Sequence, residues 1–197
     1  MAPLSKHQSG HQSEQQRDKE RKADLLSETV YEGRIITVVK QTYRWPHESP
    51  HACDLVLHPG AVAVLPIQED GQLLLIRQWR RAIGEILIEI PAGTLEKGEQ
   101  IATCAGRELQ EETGFRARQL IPMGTLFSAP GFCNEKLHLF LACGLEAAPL
   151  PPDAHEAIDL YPVALEQAMA SIENGQINDA KTVAAILRYA REHKGRE

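Results

Sequence analysis

Hydrophobic positions begin late in the chain. Residues 1–26 are mostly Gln, Ser, Lys, Arg and Glu with almost nothing to bury, and read as a disordered or loosely helical leader. From Thr29 the texture changes, and the β-branched run Ile35-Ile36-Thr37-Val38-Val39 predicts a strand. Trp45-Pro46 and Ser49-Pro50 mark turns, and Asp54-Leu55-Val56-Leu57-His58 predicts a second short strand. After the Pro59-Gly60 turn, the unbroken apolar run from Ala61 to Leu65 predicts a buried strand. Glu69-Asp70-Gly71 signals a hairpin that returns through Gln72 to Trp79. Glu85 to Ile90 alternates apolar and polar residues and stops at Pro91.

After Gly98 the period lengthens. Ile101, Cys104, Ala105, Leu109 and Thr113 follow helical spacing, with Gly114 placed as the C-cap. Leu120 to Phe127, Lys136 to Cys143 and Ile158 to Val163 predict strands. Ala164 to Glu173 predicts a helix, and Asp179 is placed to N-cap a last helix running to about Glu192. A β-rich stretch, one central helix, a second β-rich stretch and two helices predict an α+β sandwich rather than a doubly wound parallel sheet. The expected divisions are a polar leader (1–26), an N-terminal antiparallel β segment (27–57) and a main domain (58–197).

Composition narrows the function. The 197 residues carry 21 Lys plus Arg against 27 Asp plus Glu, a formal net charge of −6. That balance argues against gripping nucleic acid by bulk charge. No stretch approaches the roughly 20 apolar residues of a membrane span. Cys53, Cys104, Cys133 and Cys143 form no Cys-x-x-Cys pair and predict buried, reduced thiols. With no signal-type apolar run at the N-terminus, the expected location is the cytoplasm.

The chemistry concentrates between Gly93 and Phe115. Glu108, Glu111 and Glu112 lie at i, i+3 and i+4, so one helix face carries three carboxylates that repel one another. A hard divalent cation such as Mg²⁺ relieves that repulsion and takes oxygen ligands of this kind. The segment also fits Gly-x5-Glu-x7-Arg-Glu-U-x-Glu-Glu-x-Gly-U, where U is apolar. Its fixed places are Gly93, Glu99, Arg107, Glu108, Glu111, Glu112 and Gly114, with Leu109 and Phe115 at the apolar ones. At ordinary residue usage a chance match at one start is on the order of 10⁻⁸. On this box the chain resembles a Nudix hydrolase. Pro130, sixteen residues past Gly114, resembles the mark of the ADP-ribose pyrophosphatase branch. So do His58-Pro59-Gly60-Ala61, Arg77-Gln78-Trp79-Arg80, Glu89-Ile90-Pro91-Ala92-Gly93 and Asp179-Ala180-Lys181-Thr182. Ala129 stands where relatives often carry Ser.

The resemblance implies an α/β/α sandwich with a mixed sheet, preceded by an antiparallel β segment that is exchanged in a homodimer. It implies Mg²⁺-dependent cleavage of ADP-ribose to AMP and ribose 5-phosphate, with Mn²⁺ a possible substitute. The sibling reading is another nucleoside diphosphate sugar, such as GDP-mannose; a non-catalytic binding module of the same fold would lack metal carboxylates that this chain retains. By the same resemblance, Glu108, Glu111, Glu112 and the Ala92 carbonyl hold metal. Gly93, Glu99, Arg107 and Gly114 shape the loop–helix–loop, with Arg107 bound to Glu99 or Glu111. The base that activates water is implied to be Glu156, in the loop Pro152 to Asp159, with Glu111 sharing the catalytic site and His155 in reserve. Ile35, Arg80, Glu96, Gly131 and Glu135 are implied to touch the substrate. Arg77 and Arg81 read equally as solvated, and Trp79 as core rather than a stacking platform.

Overall fold

The computed structural model describes residues 9–151 and 157–193. Two compact units meet in sequence between Leu57 and His58. The first holds helix α1 (Ser9–Glu20) and strands β1 (Asp24–Glu32), β2 (Thr37–Arg44) and β3 (His51–Leu57), an antiparallel sheet in the order β1-β2-β3. Part of the polar leader is therefore helical, and strand begins at Asp24 rather than after residue 26. The indole of Trp45 donates to the Lys19 carbonyl (2.9 Å), and the Lys19 ammonium lies over the Trp45 ring and bonds Glu48 (2.6 Å). These contacts tie the last turn of α1 to the turn following β2. The predicted strand start at Ile35 is corrected: the Gly33 N–H donates to the Ile36 carbonyl, so Ile35 and Ile36 sit in the β1–β2 turn.

The second unit holds β4 (Ala61–Pro66), β5 (Leu73–Arg80), β6 (Glu85–Glu89), β7 (Ala92–Thr94), α2 (Ile101–Thr113), β8 (Phe115–Phe127), β9 (Lys136–Ala147), β10 (Ile158–Val163), α3 (Leu165–Glu173) and α4 (Ala180–His193). One sheet runs β7-β4-β9-β8, mixed because β4 and β9 are parallel, and the other runs β10-β5-β6, all antiparallel. Every residue of β4 is buried, which is why it reads as a continuous apolar run. Its side chains alternate between two cores. Val62 and Val64, with Phe140 and Ala142 of β9, pack on Cys104, Ala105 and Leu109 of α2. Ala63 and Leu65, with Leu139, pack on Leu73 and Leu75 of β5, Val163 of β10, Ala168 of α3 and Ile186 of α4. The result is the expected α+β sandwich.

Strands β8 and β9 run beyond the predicted Leu120–Phe127 and Lys136–Cys143. They remain paired out to Phe115 and Ala147, with a register shift between Pro122 and Gly124. Pro122 lies beside this irregularity, which is how a long strand accommodates proline. The predicted Gly114 cap is present: Gly114 takes φ 78° and its N–H donates to the Gln110 carbonyl (2.9 Å).

Two connections place the site. After β6 the chain passes Ile90-Pro91 and changes sheets to form β7. The Pro91 carbonyl accepts the Val64 N–H (2.8 Å). At the start of α4 the Asp179 carboxylate accepts the Thr182 N–H (3.0 Å) and hydroxyl (2.6 Å), the predicted N-cap. The same Thr182 oxygen accepts the Ile90 N–H (2.9 Å), locking α4 to the sheet-changing segment. Thr182 is fully buried. Thr182→Val removes the oxygen while keeping shape, and is expected to cost about 1–3 kcal/mol by stranding the Ile90 N–H. Urea unfolding should show a lower midpoint at unchanged slope.

Candidate active site

The box helix α2 is held by one arginine. Arg107 donates to both oxygens of Glu99 (2.9 and 3.0 Å), and its Nη1 bridges Glu108 (2.7 Å) and Glu111 (2.9 Å). Glu99 in turn accepts the Glu96 N–H (3.1 Å), closing the loop before the helix. The Arg107 hydrogen bonds hold the Glu99 carboxyl down at about 2, and the carboxylates raise the Arg107 pKa further. Burial pushes the neighbouring Cys104 thiol up to about 12, which leaves it protonated and unreactive. In the structure Arg107 lies within this loop–helix segment, bonded to Glu99, Glu108 and Glu111.

Glu108 and Glu112 are buried and turn toward β7. Glu112 Oε2 accepts the Ala92 N–H (2.9 Å). A Cβ on Gly93 would stand 1.9–2.2 Å from the Glu108 carboxylate, so only glycine lets that carboxylate lie against the strand. Glu111, one residue round the helix, is half-buried. Among the described residues no three His, Cys, Asp or Glu side chains are already gathered about an ion-sized point; Glu108 and Glu111 are drawn to Arg107 instead. The donor set nevertheless fits a hard divalent cation. It is all oxygen, two buried carboxylates converge on the backbone at Ala92–Gly93, and glycine leaves the space open.

The other side of that strip faces a cavity of about 320 Å³ whose walls include Arg80, Ala92, Gly93, Ser128, Glu135 and Lys181. Arg80 forks onto Glu89 with two bonds of 2.7 Å, and Lys181 bonds the same carboxylate. Glu89 is only 1% exposed. Burial alone would raise its pKa, but Arg80 and Lys181 outweigh burial and hold it below the usual carboxylate range. Glu135 stands 3.8 Å from His58 Nε2. His58 Nδ1 accepts the Gly60 N–H (3.0 Å), which assigns the neutral ring's proton to Nε2, the nitrogen facing Glu135.

Of the residues inferred from sequence, Ala92, Gly93, Arg80 and Glu135 meet at this cavity, with Glu108 and Glu112 behind the strip. Glu96 and Gly131 are exposed in loops and do not line it. Ile35 lies in the first unit. Glu156 and His155 lie outside the described residues. Trp79 is corrected: it is 53% exposed, because it shares the outward face of β5 with Arg77, whose guanidinium stacks on Tyr161. The thiols are corrected in part, since only Cys104 is buried and the other three are half-buried. Sequence reasoning assigned no role to Glu89 or Lys181. The available signal for Glu89 was an acid at the end of a strand beside the buried Ile90.

This geometry agrees with what the chain resembles among known proteins. The chain belongs to the Nudix family: the NUDIX domain matches residues 57–186. It is 35% identical to the ADP-ribose pyrophosphatase of Bacillus subtilis over 164 residues, covering 82% of this chain and 89% of that protein. It is 36% identical to the methanol dehydrogenase activator of Bacillus methanolicus over 178 residues, covering 86% and 95%. The crystal structure of an ADP compounds hydrolase matches with a TM-score of 0.77 at 27% identity, covering 88% of this chain and 95% of that one.

Gly93→Ala should leave the far-UV circular dichroism unchanged, because the colliding atoms are the end of the Glu108 side chain. The displaced carboxylate should cost about tenfold or more in Mg²⁺ or Mn²⁺ affinity by calorimetric titration. An unchanged affinity would remove Glu108 from the metal set.

Proposed function

We propose that the chain hydrolyses the pyrophosphate bond of ADP-ribose, and of related ADP-sugars, to AMP and ribose 5-phosphate with Mg²⁺, Mn²⁺ being able to substitute. The observation that carries this reading is the strip Ala92–Gly93, with buried carboxylates on one side and a cavity bearing Arg80 on the other. The names of the Bacillus subtilis and ADP compounds hydrolase relatives support it, as do Pro130 and the motifs around it. Glu108, Glu111, Glu112 and the Ala92 carbonyl are the residues that would hold the cation. The cation would supply positive charge against the phosphate oxygens and acidify the attacking water.

The remaining work falls to the chain. Arg80, immobilised on Glu89, contacts a phosphate through the part of its guanidinium that faces the cavity. Glu135 accepts the hydroxyls of the terminal ribose. Glu96 and Gly131 supply further substrate contacts from loops outside the cavity wall. Glu156 takes the proton of the water that attacks phosphorus, with Glu111 sharing the site. The bridging P–O bond breaks, and the two phosphate monoesters leave.

The reading includes a homodimer and a cytoplasmic location. Exposed apolar side chains support the dimer: Leu25, Leu26, Val30 and Tyr31 along β1, and Trp79, Ile83 and Ile86 at the β5–β6 hairpin. Four free cysteines suit a reducing compartment. Sedimentation should report twice the 21.9 kDa chain mass. Leu26→Asp and Ile86→Asp should each shift the protein toward monomer.

A panel of ADP-ribose and GDP-mannose with Mg²⁺, with products identified by mass, tests the activity. ADP-ribose should be turned over to AMP, and EDTA should abolish turnover. Glu112→Gln should lower kcat by about a hundredfold or more, as loss of a group that stabilises transition-state charge does. A preference above tenfold for GDP-mannose would overturn the substrate assignment.

A further inference from the structure

Among the described residues two acids line the cavity, and they are held differently. Asp179 lies 3.1 Å from the Lys181 ammonium and accepts the Thr182 N–H and hydroxyl. Glu135 has no Lys or Arg bonded to it among those residues; the group that faces it is His58. The backbone on either side of Glu135 is gripped by the His58–Gly60 turn. The His58 N–H donates to the side-chain oxygen of Asn134 (2.7 Å), the residue before Glu135. Gly60, at φ 100°, packs on the residue after it: a Cβ there would stand 3.3 Å from the Lys136 carbonyl. The Glu135 N–H donates to Cys133 Sγ (3.4 Å), and its carbonyl accepts the Ser128 N–H (3.4 Å).

With the backbone so fixed, the freedom that remains is in the Glu135 side chain. The ring that faces it is locked as well. His58 Nδ1 accepts the Gly60 N–H (3.0 Å), and only 11% of the side chain is exposed. The neutral ring therefore keeps its proton on Nε2 and aims that N–H at Glu135. Nε2 lies 3.8 Å from Oε1, farther than a hydrogen bond, so the N–H attracts the carboxylate without using up an acceptor site. The attraction acts in a poorly solvated wall, where a dipole counts for more than in water. A glutamate must fix several side-chain torsions before it can hold a ligand. Ordering it beforehand removes that loss from binding.

We propose that His58 is a positioning residue for Glu135. Its Nε2–H draws one carboxylate oxygen toward the turn and leaves the other for a hydroxyl on the sugar half of the substrate. His58 itself touches no substrate in this arrangement. The proposal deepens the nucleoside diphosphate sugar reading above and rests on it for the sugar contact, though not for the link between ring and carboxylate.

The turn bond and the reach to Glu135 can be separated by substitution. His58→Asn keeps an oxygen near the Nδ1 position, able to accept the Gly60 N–H, and loses the reach to Glu135. His58→Gln places an N–H near the Nε2 position and loses the turn bond. ADP-ribose and ADP, which lacks the terminal sugar, are titrated calorimetrically in EDTA into the full chain and each variant. His58→Asn should weaken ADP-ribose about fivefold to tenfold and leave ADP unchanged, and His58→Gln should recover most of that loss. Adding His58→Asn to Glu135→Gln should cost nothing beyond Glu135→Gln alone, because the two residues act as one unit. With Mg²⁺, His58→Asn should raise KM for ADP-ribose by more than it lowers kcat. Unchanged ADP-ribose affinity in His58→Asn, or losses that add in the double variant, would overturn the proposal and leave His58 a holder of the turn. Long-range ¹H–¹⁵N spectra read the link without any ligand: Glu135→Gln should move the His58 Nε2 signal more than the Nδ1 signal. A stationary Nε2 signal would overturn the link even if both His58 variants failed to fold. A moving Nε2 signal, with ADP and ADP-ribose weakened equally by Glu135→Gln, would uphold the link and reject the sugar contact.

Discussion

A strand with no solvent face organises the second unit. Because every residue of β4 is buried, both of its sides must be covered, and different elements cover them. Helix α2 closes one side through Cys104, Ala105 and Leu109. The β10-β5-β6 sheet and helices α3 and α4 close the other. The chain therefore has to cross from one sheet to the other beside β4. It does so at Ile90-Pro91, where a residue without an N–H sits between two paired strands and still offers its carbonyl to Val64. The site is built around that crossing, with Glu89 just before it and Ala92 and Gly93 just after.

Electrostatics then decides how the crossing is used. Three glutamates within five residues of helix repel one another, and two of them are buried. Arg107 offsets that repulsion from within the same helix, with Glu99 as its anchor in the preceding loop. On the far side of the strip the balance is inverted: one deeply buried carboxylate is matched by two cations. Breaking a buried pair by removing one partner is costly, so both clusters also constrain the backbone around them. Thr182 adds a neutral tie between the same segments.

What was legible in the sequence was whatever depends on short spacing. The carboxylate face of α2, the Gly114 cap, the Asp179 cap and the buried run of β4 all follow from residues within one or two turns of each other. The seven fixed places of the box made the metal-side residues readable as a set. What was not legible depends on distance or context. Strand β7 is three residues long, too short for any period to show. Glu89 and Lys181 are 92 positions apart, and nothing local announces that they meet. Trp79 read as core because its residue type favours burial, yet the pleat of β5 turns it outward. Ile35 read as strand because β-branching favours it, yet the glycine two residues before it sets a turn.

The partition between carboxylates and cavity is a single strand edge, and this makes the site modular in an unusual direction. The groups behind the strip come from one helix and its preceding loop. The far walls of the cavity come from the ends of β8 and β9, through Phe127, Ser128 and Glu135, and from the start of α4. Those far walls can change shape or charge without moving a helix that packs on the other face of the sheet. The carboxylates and the far cavity walls thus sit on separate pieces of chain. Ala92, Gly93 and Thr94 touch both: all three line the cavity, and they meet Glu112, Glu108 and Arg107 of the helix.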